Sequence, residues 1–443
     1  MNAYEQLREH VFALEIFDTH EHLPAFEGKR NQKNDVLAEY LIHYFSCDLV
    51  SAGLTLPDLE TARNVEKPLA NRWRLVEPFW DAARGTGYGR SLDIAVRELY
   101  GLPRIDRATI EPLNQAFLAA RAAGGVYRRV LKDKARIKLS VLDSGTTDCD
   151  REFFRPAVRL DDFITAATPA DLANLAKRAG APDIHSLTDL EDAAEKMVDE
   201  AFAQGACCLK SGLAYARRLR YEKVARAAAE EEFAGIRQQR NWTRPAGGSA
   251  AGWPKLQDYM MHHVCRLADR RGLTFEIHTG LQEGNGNYID HAEPAQLTNL
   301  FLEYRQVRFD IFHIGYPYEH TLSALAKNFA NVYIDFAWAH IISPMAATAA
   351  LAEYLDAVPA NKISAFGGDY CFVDAVLGHA WLARENVARA LALKVEQGAM
   401  DLDRALTVAT MVLHDNPRRI FGLDEKRSPR RSRKAAGRKK RKA

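Results

Sequence analysis

Apolar and β-branched residues gather into short runs along the chain, and each run closes on polar or glycine positions. The runs cover residues 14–19, 137–142, 154–160, 206–210, 273–278, 309–314, 331–336 and 362–367. Near-continuous apolar runs of this length suit strands buried on both faces of a parallel sheet. Helical periodicity fills most of the gaps, over residues 171–178, 187–204, 256–271, 295–304, 320–329 and 348–357. Strands alternating with helices predict right-handed βα units. Eight strands is the number that closes a (β/α)8 barrel. The third run, interrupted by Pro156, is the weakest, and a doubly wound sheet is the alternative architecture.

Two connections exceed the usual few residues. Residues 23–136 separate the first two runs and carry helical patterns over 35–49, 70–84, 91–99 and 111–123. Residues 211–272 separate the fourth and fifth, with a charged helix expected over 217–240 and a Gly/Pro-rich loop over 243–254. On a barrel, long βα connections lie over the C-terminal mouth, where active sites are built. The first insertion is therefore expected to be a helical cap that contributes substrate specificity.

The formal net charge of +2 hides two unlike parts. Eleven basic residues and no acid lie between Lys426 and Ala443, so residues 1–425 hold 49 basic residues against 58 acidic ones and carry −9. An acidic body is not that of a general nucleic-acid-binding enzyme; any weak affinity for polyanions belongs to the tail, expected to be disordered. With 47% hydrophobic and 27% charged residues, the remainder is that of a globular protein. No apolar run approaches the roughly 20 residues of a membrane helix, and the N-terminus lacks a secretory pattern. The six cysteines form no CxxC, so they are expected to be reduced in a cytoplasmic protein. The expected organisation is one catalytic domain over residues 1–425, with the cap at about 23–136, followed by the tail.

Candidate chemistry lies at the ends of the runs. The first closes on Asp18-Thr19-His20-Glu21-His22. Residues two apart on a strand point the same way, so His20 and His22 can present both imidazoles to one metal ion. The fourth run ends at Lys210, the fifth at His278, the sixth at His313, and the last just before Asp369. Five strand ends carrying ligand-type residues converge on one mouth. Imidazole and carboxylate donors favour zinc, with manganese or iron as alternatives.

This constellation resembles the amidohydrolase superfamily of metal-dependent (β/α)8 enzymes. There HxH closes the first strand, a lysine (often carboxylated) the fourth, histidines the fifth and sixth, and an aspartate the eighth. Segments such as Leu209-Lys210-Ser211, Ile277-His278-Thr279-Gly280 and His313-Ile314-Gly315-Tyr316-Pro317-Tyr318 look most like the amidohydrolase-2 branch. That branch includes the domain fused to glutamine-synthetase-like proteins, and uronate isomerase is a more distant relative. The segment from Asn416 to Leu423 looks like the family's closing helix.

The resemblance implies a metal-dependent hydrolase with one or two divalent ions. His20, His22 and His278 would hold the metal. Asp369 would ligate or accept and return the proton, and His313 would ligate a second ion or polarise the substrate. Lys210, if carboxylated, would bridge two ions; protonated, it would bind a substrate carboxylate, and as a rim lysine it would form an ion pair. The expected substrate is a small molecule, and Tyr88, Arg97, Tyr215 and Arg217 are candidates to bind it, since guanidinium pairs bidentately with carboxylate. Cleavage of a C–N or related bond is the leading reading, with aldose–ketose isomerisation and decarboxylation as alternatives. A homo-oligomer without membrane insertion is expected.

Overall fold

A computed structural model describes residues 1–238 and 252–423; the basic tail and most of the segment expected to be a Gly/Pro-rich loop over 243–254 lie outside the described residues. Eight parallel strands run in sequence order: β1 Ile16–Glu21, β2 Ile137–Leu142, β3 Phe154–Arg159, β4 Cys208–Ser211, β5 Thr274–Ile277, β6 Arg308–Ile311, β7 Val332–Ala337 and β8 Ile363–Gly367. The barrel is nearly closed. Its seam is tied at the mouth rather than by a regular ladder, through Asp369 N–H to His20 O at 2.7 Å and His22 N–H to Tyr370 O at 3.1 Å. Thr19 Oγ1 adds a bond to Phe366 O at 3.0 Å. The (β/α)8 expectation is met, and the Pro156 run is a genuine strand, paired to β2 and β4.

The two ends of the barrel differ chemically. Towards the start of the strands, Phe17, Leu139 and Cys208 pack with Ile420 and Phe421 of the closing helix Asn416–Phe421. Thr274 Oγ1 bonds Ile420 O at 2.6 Å and fixes this plug. Cys207 and Cys208 are buried here, and all six cysteines are free. Higher in the barrel the interior turns polar, with Asp18, Ser140, Glu276, Asp310, Asp335 and Ser364 completely buried.

The connection between β1 and β2 is helical. The pattern over 35–49 divides into Val36–Tyr40 and Phe45–Ser51, and Leu69–Ala83, Gly87–Tyr100 and Ile110–Ala123 follow. The break before Phe45 presents Tyr44 to the mouth, where its hydroxyl donates to Asp369 O at 2.6 Å. After β8, helix Val373–Glu396 crosses helix Gly87–Tyr100 so closely that a Cβ on Gly378 would lie 1.9 Å from Ser91 O. Backbone cannot yield there as a side chain does. Gly378→Ala should therefore cost about 1–3 kcal/mol, read as a lowered Tm.

One expectation is corrected. The charged helix begins at Arg226 and is described as Arg226–Gln238, not from residue 217. Arg217 binds Asp258 Oδ1 at 2.6 Å and Arg220 O at 2.8 Å, while Glu222 N–H bonds Asp258 Oδ2 at 3.0 Å. These contacts hold residues 217–222 as a loop strapped to helix Pro254–Arg271, against their helical propensity. Among the described residues, no helix is long and apolar enough to cross a membrane.

Candidate metal centre

The β1 strand extends to Glu21, so His20 and His22 leave the barrel together at the mouth. His22 Nδ1 lies 2.9 Å from Asp143 O. A carbonyl only accepts, so Nδ1 carries the hydrogen and Nε2 of the neutral ring is a lone pair. His20 Nδ1 faces Glu276 Oε2 at 3.2 Å, which leaves its Nε2 turned to His22 Nε2 at 3.4 Å. Two imidazole nitrogens each about 2.1 Å from one tetrahedral ion stand roughly 3.4 Å apart. Asp369 Oδ1 lies 3.2 Å from His22 Nε2 and 3.9 Å from His20 Nε2, and Asp143 Oδ2 is also 3.9 Å from His20 Nε2. Lone pairs and carboxylates facing one another repel unless a cation lies among them. The donor set fits a divalent ion. His20, His22 and Asp143 each offer a ligand atom within 4.8 Å of the others.

A second imidazole pair follows the same logic. His278 Nε2 lies 2.9 Å from Leu281 O, and His313 Nδ1 lies 2.7 Å from Ala337 O, so both carry hydrogen. Their opposite nitrogens, His278 Nδ1 and His313 Nε2, then face each other as lone pairs at 2.9 Å. Asp369 stands between the pairs, with Oδ2 3.8 Å from His313 Nε2. The two histidines can share a proton, present a neutral nitrogen to substrate, or hold a second ion.

Three of the four imidazoles are held neutral. Burial, followed by the Lys210 charge, holds His20 well below its ordinary pKa. Burial, followed by His313, does the same to His278, while burial lowers His313 to about 4. Neutral imidazoles are the ligating form. Burial opposes charge on both His22 and Asp369, but the contact between them outweighs it, raising His22 and holding Asp369 well below the usual carboxylate range, so a proton or a cation belongs between them. Backbone strain gathers here too. His313, Ile314, Trp338 and Asp369 are four of the five non-glycine residues with positive φ among the described residues, as is common where function over-determines geometry. Gly368 is required beside them, because a Cβ would lie 1.7 Å from Glu21 Oε1.

Lys210 is buried on β4 beside Glu276, its register partner on β5. Its Nζ sits 3.4 Å from the centre of the Phe312 ring, whose edge also meets His20 and His313. Burial lowers its pKa, against the pull of Glu276 and Asp369.

The substrate candidates separate. Tyr215 packs on His278 with ring centres 4.7 Å apart and keeps 47% of its surface exposed, so it stands at the entrance. Tyr88 stacks with Tyr44 and Trp338, and Trp338 meets His313 edge-on at 5.2 Å. Arg97 instead lies over Trp381, paired with Glu98, and lines a cleft of about 1010 Å³ formed with Tyr4, Arg84, Trp381 and Arg389. Arg217 is committed to Gln257 and Asp258. Among the described residues, no contact joins either arginine to the histidines.

Sequence reasoning missed Asp143, Arg159, Glu276, Tyr44 and Trp338. Asp143 directly follows β2 and Arg159 ends β3, the position that singled out residues on the other strands. Glu276 precedes His278 by two and shares its alternation. Arg159 pairs with Asp143 and keeps 39% of its side chain open, so it offers the mouth a guanidinium. The aromatic residues carried no signal beyond that of a core. His340 bonds Ala365 O at 2.9 Å behind the barrel and takes no part.

A family model described as Amidohydrolase matches residues 157–423. The protein fluG of Emericella nidulans is 25% identical over 201 residues, which span 42% of this chain and 23% of that protein. The chain thus matches about a quarter of that relative's length. A uronate isomerase from Thermotoga maritima superposes with a TM-score of 0.78 at 14% identity, covering 95% of this chain and 98% of its own. The glucuronate isomerase of Caulobacter crescentus gives 0.77 at 17% identity, covering 98% and 96%. A protein described as a metal-dependent hydrolase from Lactobacillus casei gives 0.66 at 16% identity, covering 94% and 97%. At these identities the likeness is one of fold, and it extends over the helical connection between β1 and β2 as well as the barrel.

Proposed function

The chain belongs to the amidohydrolase family, and from that premise we propose a metal-dependent hydrolase that cleaves a C–N or related bond in a small, carboxylate-bearing substrate. The observation that carries this reading is Asp369, poised between two pairs of inward-facing imidazole lone pairs. His20, His22 and Asp369 would hold a divalent ion, zinc first, with Asp143 at its edge. Such an ion supplies Lewis acidity and makes water acidic enough to deprotonate near neutral pH. Asp369 accepts the water's proton at a carboxylate oxygen and returns it to the leaving nitrogen. His313 Nε2, turned inward by Ala337 O, positions the substrate oxygen. Arg159 pairs with the substrate carboxylate through its open edge, and Tyr215 and the Tyr44–Trp338–Tyr88 stack exclude water.

Aldose–ketose isomerisation is the second reading. It is favoured by the full-length likeness to uronate isomerases, cap included. Asp369 would then carry a proton between adjacent substrate carbons. Metal-loaded protein should be offered N-acyl amino acids, γ-glutamyl amides and uronates, with products read by mass. Release of an amine and an acid is expected; a product of unchanged mass would replace hydrolysis with isomerisation, and loss of CO2 would replace both with decarboxylation.

A further inference from the structure

Below the imidazole pairs lie two carboxyl groups with no assigned role. Asp310 on β6 and Asp335 on the neighbouring strand β7 are both fully buried, and each shifts the other's titration. Neither oxygen of Asp310 has a donor partner among the described residues. Asp335 Oδ2 likewise has none, and three buried carboxyl oxygens without a donor are costly unless one of the two groups holds a proton. Asp335 is more widely connected: Oδ1 accepts from Thr19 Oγ1 at 2.9 Å and from Ala337 N–H at 2.6 Å. Thr19 immediately precedes His20. Ala337 O is the carbonyl that fixes His313 Nδ1 at 2.7 Å. Asp335 therefore ties together β1 beside one imidazole pair and the carbonyl that orients the other.

We propose that Asp310 and Asp335 share a proton at neutral pH, and that this acid–carboxylate bridge is the positioning element that holds Ala337 O on His313 and Thr19 in place beneath His20. An unshared pair of negative charges at this depth would repel, and the opposite charge acting on Asp310 is that of Lys210 on β4. Glu276 on β5 adds further negative charge to both groups. Burial, the largest cause, raises Asp310 to about 7 and Asp335 well above the carboxylate range. In the unfolded chain both ionise near pH 4. Folding thus takes up protons, and the pair's contribution to stability is full below about pH 4 and is lost as pH rises through about 7 and beyond.

The test is thermal unfolding of the metal-loaded full chain from about pH 5 to about pH 9, comparing wild type with Asp310→Asn. An Asn amide donates to Asp335 without titrating, so the pH dependence of stability should become shallower by about one proton. A slope equal to that of wild type would overturn the proposal. Asp335→Asn is equally isosteric and answers the same question should Asp310→Asn fail to fold. The positioning role is read separately by NMR of 15N-histidine protein, with His313 assigned through His313→Gln. Asp310→Asn should retain the bonded His313 Nδ1–H signal and Asp335→Ala should lose it; its survival in Asp335→Ala would refute the positioning role.

Discussion

Replacing Asp369 by Asn should leave fold and bound ion in place yet lower kcat by roughly 10²–10⁴ on whichever substrate the product screen identifies. The backbone of this residue closes the barrel, through its N–H to His20 O at 2.7 Å and its carbonyl to Tyr44 OH at 2.6 Å. Asn keeps both bonds. It also keeps an oxygen for the ion, because an amide carbonyl still ligates. What it lacks is the charge that lets Oδ1 and Oδ2 serve both imidazole pairs and accept a proton. The check is steady-state kinetics alongside metal content and circular dichroism. Activity within a few-fold of wild type, at equal metal content, would remove Asp369 as the proton carrier for both hydrolysis and isomerisation, which assign it that task.

The barrel was legible because its strands are buried on both faces, which makes them apolar runs rather than alternating ones. The mouth was legible wherever a strand ended in a residue that no core tolerates: His20, His22, Lys210, His278, His313 and Asp369. Asp143 and Arg159 obeyed the same rule and were passed over, since an acid or an arginine after a strand is also an ordinary turn or surface residue. The polar barrel interior could not be read at all. Asp310 and Asp335 sit inside apolar runs, and only the closed sheet shows that both are buried on neighbouring strands without donors for three of their four oxygens. Loop 217–222 misled for a tertiary reason, since Asp258, some forty residues further on, captures Arg217 and Glu222 N–H. The helices between β1 and β2 followed from periodicity, whereas the break that brings Tyr44 over Asp369 depends on packing against Trp338 and Tyr370.

Removing ligands one pair at a time should settle how many ions the mouth holds. His22→Ala deletes a nitrogen that stands 3.4 Å from His20 Nε2 and 3.2 Å from Asp369 Oδ1, leaving the first site with one imidazole. Its metal affinity should fall by more than the roughly 10–100-fold that loss of an outer partner costs. Dialysed protein should then retain little of that ion, as measured by elemental analysis. Glu276→Gln tests the outer partner itself. It preserves a hydrogen bond to His20 Nδ1 but not the carboxylate's influence on the ring, and should fall within the 10–100-fold range. His313→Ala distinguishes the two uses of the second pair. If His278 and His313 only position substrate or share a proton, the variant keeps the wild-type ion content and loses turnover. If they ligate, one equivalent of metal departs while the ion at His20 and His22 remains. The 2.9 Å separation of His278 Nδ1 and His313 Nε2 is shorter than the roughly 3.4 Å edge of a tetrahedral zinc site, whereas the first pair already stands at 3.4 Å. One tightly held ion is therefore the expected count, with the second pair serving the substrate.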